Sequence, residues 1–291
     1  MQPSNKDEFP GNLDPRTVQS FGDEWGRFDQ SALSDAEAQE IFGEYFRVFP
    51  WSTLPEGAEG FDMGCGSGRW ARWVAPRVGH LHCIDPSTAL EVARKQLERF
   101  SNVSFYRASV DDGVLPAGSQ DFGYSLGVLH HIPDTEAAIR SCVQLLKPGA
   151  PLLLYLYYAL DNRGPLFRLA WRCSDALRRV ICSMQPAVKH AVTDIIAATI
   201  YLPLALLSRL LAAIGLSVSH IPLAYYRDHS FYTMRTDSRD RFGTPLERRF
   251  TKEEIERMMA SAGLRNIRFS DAEPYWCAVG VKAARGSTHD Q

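Results

Sequence analysis

Between residues 57 and 158, short apolar segments alternate with segments whose apolar residues recur at helical intervals. This alternation predicts βαβ units, in which parallel strands are joined by helices that cover the sheet. Lys147, Pro148 and Gly149 end the last of these helices, because proline and glycine stop a helix and turn the chain. The predicted strands are 59–63, 80–85, 103–108, 121–127 and 150–157. The predicted helices are 68–77, 88–99 and 135–146.

The alternation stops near residue 160 and resumes near residue 250, where a helix start is well marked. Thr251 can cap this helix while Glu254 reaches back to it, which is the capping-box pattern. Two further strands are predicted at 265–269 and 276–282. We therefore expect an α/β fold with a doubly wound, seven-stranded, mostly parallel sheet that ends in an antiparallel strand pair. The expected core comprises 55–159 and 245–283, and 160–244 form a helical cap inserted into it.

The N-terminal region divides into a tail and a helical part. Residues 1–15 are rich in proline, asparagine and aspartate, and we expect a disordered tail there. In residues 16–54, Phe21, Trp25 and Phe28 are spaced by four and three residues, which predicts one helical face. This aromatic face can form a lid over a ligand or pack onto the core, and both roles remain open. A second helix is predicted at 35–49.

The composition is that of a globular protein, since 45% of the residues are apolar. With 32 basic and 34 acidic residues the net charge is -2, so no nucleic acid is expected as a partner. The N-terminus is polar and has no apolar run, so we expect no signal peptide and a cytoplasmic location. The cysteines form no C-x-x-C pair, which predicts free thiols. They are Cys65, Cys83, Cys142, Cys173, Cys182 and Cys277.

A glycine-rich loop, Asp62-Met63-Gly64-Cys65-Gly66-Ser67-Gly68, follows the first predicted strand. Glycine has no Cβ, so the backbone can turn sharply and let a ligand lie against it, while free N–H groups at the helix start face polar atoms. A dinucleotide fingerprint needs G-x-G-x-x-G. Here the glycines alternate, and Arg69 stands where that pattern has its third glycine. Binding of NAD(P) is therefore disfavoured.

Asp85 ends the next predicted strand and is followed by Pro86. A carboxylate at this position can accept hydrogen bonds from both hydroxyls of a ribose, as in other nucleoside-binding α/β folds. An aspartate at a strand end more often serves a turn or a helix cap. The distance of about one βα unit from the glycine loop makes Asp85 a ligand candidate.

Four segments, in this order, carry a family resemblance: GFDMGCGSGRWARWVA, CIDPS, FGYSLGVLHHIPD and LLKPGAPLLLYLYY. Together they resemble the class I S-adenosylmethionine-dependent methyltransferases, particularly the ubiquinone and menaquinone methyltransferase-like group. The resemblance covers about residues 55–158 and returns at 248–282, where RRFTKEEIERMMASAGL is similar to the helix before the last strand pair. It implies a Rossmann-like fold, S-adenosylmethionine as the cofactor and methyl transfer as the activity.

The resemblance also assigns parts of the cofactor to parts of the chain. The glycine loop would hold the methionine end of the cofactor. The residues at the end of the second strand would bind the ribose, and those at the end of the third strand would flank the adenine. The residues at the end of the fourth strand would lie beside the sulfonium. The family usually has aspartate where Ser109 stands, so recognition of the adenine amino group falls to Asp111 or Asp112 instead. The cofactor-binding candidates are Asp62, Gly64, Cys65, Gly66, Asp85, Pro86, Ser109, Val110, Asp111, Leu126 and Gly127.

Methyl transfer from a sulfonium is an in-line displacement, so the chain must align donor and acceptor and, for a hydroxyl acceptor, remove a proton. No metal site is required for this. His130 and His131 follow the fourth strand, at the edge where a doubly wound sheet binds its ligands, and histidine transfers protons near neutral pH. A structural role is favoured for His130, whereas both roles remain open for His131. Tyr157 and Tyr158, after the fifth strand, are further candidates for a catalytic role.

The insertion contains an amphipathic helix from residue 166 and then a segment, 195–216, that is apolar nearly all round. The second segment approaches the length of a membrane span, but Arg209 lies within it and Pro203 would kink it. We expect a buried helix of the cap. The alternative is an interfacial or lipid contact through 165–216. Basic neighbours support that alternative, namely Arg163, Arg168, Arg172, Arg178, Arg179 and Lys189.

A large apolar cap over the ligand edge of the sheet suits a hydrophobic acceptor or one linked to a lipid or sugar. The favoured function is therefore methylation of a small molecule, with oxygen as the first choice of acceptor atom. The alternatives are a protein of the same fold that binds a derivative of S-adenosylmethionine without turnover and, more distantly, an NAD(P)-dependent oxidoreductase. The sequence does not determine the acceptor or the oligomeric state.

Overall fold

The central strands are short and almost continuously buried, as expected for a sheet that is covered on both faces. A computed structural model describes residues 11–218 and 220–284 of the chain. The strands are β1 (Glu59–Met63), β2 (His80–Ile84), β3 (Val103–Tyr106), β4 (Phe122–Leu126), β5 (Pro151–Tyr155), β6 (Leu264–Phe269) and β7 (Cys277–Lys282). They form one seven-stranded sheet in the order β3-β2-β1-β4-β5-β7-β6. The first five pair in parallel, and β7 lies antiparallel between β5 and β6, which confirms the expected fold class.

The helices in the described part of the chain are α1 (Pro15–Arg27), α2 (Asp35–Tyr45), α3 (Ala71–Val74), α4 (Ala89–Gln96), α5 (Thr135–Leu145), α6 (Pro165–Ile181), α7 (Pro186–Ile196), α8 (Leu202–Ala213), α9 (Phe231–Gly243) and α10 (Lys252–Ser261). The capping box predicted at Thr251 and Glu254 starts α10. Asp134 caps α5 by accepting a hydrogen bond from the N–H of Ala137 at 2.9 Å. α3 is shorter than predicted, because the preceding residues remain in the glycine loop.

Two apolar cores lie on opposite faces of the sheet. Because side chains alternate along a strand, neighbouring leucines of β5 enter different cores: Leu152 packs on one side and Leu153 on the other. α5 and α10 cover the first face, and α2 and α4 cover the second. α2 ends at Tyr45, four residues before the predicted end, but Phe46 and Phe49 still pack together with their ring centroids 5.7 Å apart.

The N-terminal segment docks on the core before α1 begins. Residues 1–10 of the predicted tail lie outside the described residues. Asn12 donates its backbone N–H to Asp111 at 2.9 Å, and its side-chain oxygen accepts from the N–H of Asp134 at 2.7 Å. Asp14 then caps α1 by accepting from the N–H of Arg16. The N-terminal end of α1 is therefore anchored beside the ends of the parallel strands.

The helices α6 to α9 lie between β5 and α10 in the sequence and form a layer with a small core of its own. This core contains Ile181, Ile196, Tyr201, Ala205, Met234 and Phe242. Pro203 lacks an N–H, yet the helix continues through a π-helical turn at Ala197–Tyr201 instead of breaking. The result is one long helix, Pro186–Ala213, of 28 residues.

The expectation that segment 195–216 is a buried helix is wrong. The helix Pro186–Ala213 is long and apolar enough to cross a membrane, and 28% of its most apolar stretch is buried. Large apolar side chains point outward, and Leu210 and Ile214 are 62% and 66% exposed. We call this exposed set the apolar surface of the insertion. It consists of Ile195, Ile200, Leu206, Leu207, Leu210, Ile214 and Leu216.

Candidate active site

The glycine loop connects β1 to α3, and its three glycines all have positive φ angles, at 80°, 53° and 80°. The N–H groups of Gly64 and Cys65 both donate to the carbonyl of Ile84, at 2.7 and 3.1 Å. A Cβ on Gly64 would lie 2.4 Å from a methyl carbon of Val128, so no other residue fits there without a shift. The loop is therefore held tightly against the ends of β2 and β4.

Asp85 joins the end of β2 to this loop. One carboxylate oxygen accepts from the N–H of Gly66 at 2.9 Å. The other oxygen accepts from the N–H and the hydroxyl of Ser87 at 2.8 and 2.6 Å. Each carboxylate oxygen can accept more than one hydrogen bond, so the group can still receive hydroxyls of a ligand. Asp85 therefore fixes the loop and remains available at the surface of a cavity.

A cavity of about 1180 Å³ opens where the parallel strands end, between the glycine loop, α1 and the insertion. Ligand pockets commonly span about 300–1,000 Å³, so this one has room for a cofactor together with an acceptor. Most of the predicted site residues line it. They are Gly64, Cys65, Gly66, Asp85, Pro86, Ser109, Val110, Leu126, Gly127, His131 and Tyr158.

Three predicted site residues lie outside this cavity. Asp62 is fully buried behind the glycine loop, and burial raises its pKa to about 8, with the Tyr124 hydroxyl acting in the opposite direction. Asp111 is exposed, and its carboxylate is occupied by the backbone N–H of Asn12, because the N-terminal segment docks there. It lines a smaller neighbouring cavity of about 190 Å³.

His130 is the third residue outside the cavity. Its imidazole stacks on the ring of Tyr157 with centroids 3.9 Å apart, and neither ring nitrogen has a hydrogen-bond partner among the described residues. Burial, together with the charges of His131 and Arg249, holds the pKa of His130 well below its usual range. Its surroundings are those of a neutral packing residue, because the turn after β4 points its ring inward.

His131 lies at the cavity wall with its ring oriented by the backbone. Nδ1 is 2.6 Å from the carbonyl oxygen of Leu246, which accepts a hydrogen bond only if Nδ1 carries the proton. Nε2 has no partner in the described part of the chain. Burial lowers the pKa of His131, while the nearby Asp240 carboxylate acts in the opposite direction. The arrangement leaves a neutral imidazole with a free lone pair.

Two tyrosines after β5 have different neighbours. The Tyr157 hydroxyl donates to Asp240 in a short hydrogen bond, and its ring lies between His130 and the guanidinium of Arg249, which is 5.0 Å from the ring centroid. The Tyr158 hydroxyl accepts from the Nε of Arg163 at 3.4 Å. Both tyrosines line the cavity, and both hydroxyls are already hydrogen-bonded.

Several charged cavity residues were not among the sequence-based candidates, including Glu24, Arg69, Asp237 and Asp240. Glu24 had a visible signal, because it lies three residues after Phe21 and four before Phe28 on the predicted aromatic face. A carboxylate within an apolar stripe is unusual. Asp237 and Asp240 had no such signal in the sequence. Charged residues lie on several sides of α9, and only the fold shows which of them face the cavity.

Comparison with known proteins adds to this geometry. Residues 61–154 match a family described as "Methyltransferase domain". A ubiquinone biosynthesis O-methyltransferase of Xanthomonas axonopodis pv. citri is 39% identical over 131 residues, 44% of this chain and 53% of that protein. The enzyme of the same name from Aromatoleum aromaticum is 31% identical over 159 residues, 53% of this chain and 65% of that protein. The match thus spans about half to two thirds of these relatives.

A solved structure of a possible exported protein from Bordetella parapertussis has the same fold, with a TM-score of 0.51 at 15% identity over 93% of this chain and 81% of that one. The sheet order, the glycine loop and the domain match agree with one another. Residues 61–154 therefore form a methyltransferase domain, in a fold of the class I S-adenosylmethionine-dependent type.

Proposed function

We propose that this chain transfers the methyl group of S-adenosylmethionine to a hydroxyl oxygen of a hydrophobic small molecule. The observation that carries the proposal is His131, which lines the same cavity as the glycine loop and has a buried Nε2 without a hydrogen-bond partner among the described residues. The name shared by the curated relatives, ubiquinone biosynthesis O-methyltransferase, supports oxygen as the acceptor atom.

The residues at the strand ends fit this cofactor. The positive φ angles of Gly64 and Gly66 leave a backbone surface without side chains, along which the methionine end can lie. Asp85 can accept the ribose hydroxyls, and Ser109 and Val110 form the wall for the adenine. Because Asp62 lies behind the loop, we assign it support of the loop and not direct contact. When bound, the cofactor supplies an electrophilic methyl group on a sulfonium.

His131 is proposed to accept the proton of the acceptor hydroxyl at Nε2. Its Nδ1–H donates to the carbonyl of Leu246, which fixes the ring and would stabilise the imidazolium that forms. The Asp240 carboxylate favours the same charged form. Burial keeps the free imidazole neutral at pH 7, so it begins in the state that a general base needs.

The walls of the acceptor part of the cavity are aromatic and apolar. They include Tyr155, Tyr157, Trp171, Tyr201 and Tyr225. Rings of this kind bury large areas and stack on flat apolar molecules. Arg241 and Arg249 also face the cavity, but both pair with Glu247, and Arg241 also lies 3.9 Å from the Asp175 carboxylate, so neither guanidinium is unpaired. We therefore propose an uncharged, hydrophobic hydroxyl compound as the acceptor.

The test uses the variants His131→Ala and His131→Gln. We expect both to bind S-adenosylhomocysteine with the wild-type affinity in calorimetry and to lose about 10²- to 10⁴-fold in turnover, the usual contribution of a general base. Turnover is measured with a panel of phenols and catechols that carry alkyl chains of increasing length. The matched control is His220→Ala, an exposed histidine outside the cavity, which should keep full activity.

Unchanged turnover in His131→Ala would remove this residue from catalysis. Binding of S-adenosylhomocysteine with no turnover on any acceptor of the panel would favour the alternative of a protein that binds the cofactor without reacting.

We further propose that the apolar surface of the insertion contacts a membrane peripherally on the cytoplasmic side. Its support is the exposure of seven large apolar residues on α7, α8 and the turns at their ends, together with the exposed Arg209 on the same long helix. Two of the basic residues noted in the sequence do not contribute to this proposed membrane-contacting surface. Arg178 and Lys189 are buried and donate to the carbonyls of Thr244 and Gly243, respectively.

A further inference from the structure

The cavity reaches the surface of the protein within the insertion. Among the described residues, those that line the cavity and are also exposed are Ala170, Cys173, Leu177, Ile200, Pro222 and Asp271. All of them except Asp271 belong to the insertion and are apolar, since a free thiol behaves as a small apolar group. The cavity therefore has an opening in the insertion that is bordered by apolar side chains.

Two helices border this opening. Ala170, Cys173 and Leu177 are spaced by three and four residues, so they lie on one face of α6. Ile200 comes from the long helix Pro186–Ala213, and both helices pack on α9. Leu177 and Ile200 line the cavity and are each 45% exposed. An apolar molecule can thus contact both helices without leaving the cavity.

A continuous set of contacts leads from α6 to the candidate base. Trp171 of α6 lies with its ring centroid 5.1 Å from the guanidinium of Arg249. The same guanidinium is 5.0 Å from the ring centroid of Tyr157, whose ring lies 5.5 Å from that of His131. All four side chains line the cavity. A molecule that lies along this wall with one end at His131 therefore extends towards the opening.

We propose that the opening between α6 and the long helix is a passage for an apolar chain of the acceptor, which extends to the surface while the acceptor hydroxyl lies at His131. The inference rests on the proposed function, because it concerns the acceptor of the same reaction. Each methylene group that enters an apolar passage leaves water, which raises the affinity about three- to fourfold. Methylene groups beyond the opening stay in water, so the gain should level off while long chains are still accepted.

The first test places a charge in the passage with Leu177→Asp. Binding of phenols that carry alkyl chains of increasing length is measured by calorimetry, with S-adenosylhomocysteine present and without vesicles. The long-chain phenols should bind about 10- to 100-fold more weakly to the variant, because the chain would have to displace water from a carboxylate. Phenol itself should bind as it does to the wild type. The matched control is Val188→Asp, at a side chain that is 48% exposed and does not line the cavity.

The second test blocks the passage through Cys173, which is exposed at its border. The chain carries Cys182→Ser, so that Cys173 is the accessible thiol, since the remaining cysteines are buried. The same protein is compared before and after reaction with pyrene maleimide. We expect the label to weaken binding of the long-chain phenols selectively and to leave the affinities for phenol and S-adenosylhomocysteine unchanged.

The passage would be overturned if affinity for the wild-type chain did not rise with chain length, or if Leu177→Asp and the label weakened short and long acceptors equally or not at all. Weaker binding of S-adenosylhomocysteine after labelling would also overturn it, because the opening would then admit the cofactor. Turnover is measured on the same phenols. Binding that depends on chain length without any turnover would remove the proposed function and leave the passage, whereas turnover without this dependence would remove the passage alone.

Discussion

The carboxyl group of Asp62 is the most strongly perturbed acid behind the glycine loop. Neither oxygen has a described hydrogen-bond partner, and burial raises its pKa to about 8. An aspartate in an unfolded chain ionises near pH 4. Between these two values the folded chain keeps a proton that the unfolded chain releases, so the free energy of unfolding falls as the pH rises from about 4 to about 8.

We expect Asp62→Asn to remove this dependence, because asparagine has the shape of the protonated acid and does not titrate. The wild-type chain should lose up to about 1.4 kcal/mol of stability per pH unit in this range relative to the variant. The measurement is urea unfolding at several pH values. Asp228→Asn, at a side chain that is 58% exposed, serves as the control and should follow the wild-type curve. An identical pH slope in Asp62→Asn and the wild type would show that Asp62 is ionised in the fold.

Single residues differed in how far the sequence could predict them. The placement of Gly64, Gly66 and Asp85 at one cavity was predictable, because a loop at a strand end requires their chemistry locally. Asp62 was assigned to the ligand, whereas its side chain points behind the loop. The face on which a strand residue lies depends on how β1 is aligned between β2 and β4, which the sequence does not specify. Arg69 was noted only as a residue that breaks a dinucleotide pattern, since two of its three aromatic neighbours, Trp25 and Tyr45, come from α1 and α2.

Among the elements, α1 forms a wall that the glycine loop and the insertion share. Arg27 pairs with Asp194 of α7 at 2.5 Å, and Asp23 pairs with His190 of α7 and Arg239 of α9 at 2.9 and 3.1 Å. On its other side, Phe21 contacts the ring of His131 with centroids 4.9 Å apart. These contacts place α1 where it can influence both donor binding and the candidate base.

The two roles of the aromatic face of α1 can be separated by two substitutions. Trp25 is half-buried over Gly66, so Trp25→Ala should weaken binding of S-adenosylhomocysteine about tenfold with little change in stability. Phe28 is 1% exposed and does not line the cavity, so Phe28→Ala should cost about 3 kcal/mol of stability and leave the affinity nearly unchanged. Calorimetry and urea unfolding measure the two effects. If Trp25→Ala loses stability but no affinity, α1 serves packing alone.

Elements with a local start signal were predicted well, and the environment of the apolar segment was not. The capping box before α10 and the cap of α5 depend on side chains within one turn. For segment 195–216, the sequence specifies an apolar helix but not what lies against it. In the structure only one side of this helix reaches α9 and the cavity, so the other side remains exposed.

At the scale of the whole molecule, the cavity connects the glycine loop with the insertion. Ile200 belongs both to the cavity wall and to the apolar surface of the insertion, and Ile196 and Leu204 line the cavity from the same long helix. A hydrophobic acceptor that dissolves in a membrane would therefore meet the cavity on the side that we propose to contact lipid. The donor site that we propose lies at the other end, beneath α1.

This arrangement predicts that the chain floats with vesicles of phosphatidylcholine and phosphatidylglycerol at low salt. The double variant Leu210→Glu and Ile214→Glu should remain in the soluble fraction, because two buried leucine-sized side chains contribute about 3–6 kcal/mol to such an interface. Its unfolding midpoint should match that of the wild type, since both residues are more than 60% exposed. Val114→Glu, at an exposed apolar residue outside the insertion, should float like the wild type. The membrane contact would be refuted if the wild-type chain did not float, or if the double variant floated equally well. A change in sedimentation of the double variant without vesicles would instead indicate that this surface mediates self-association.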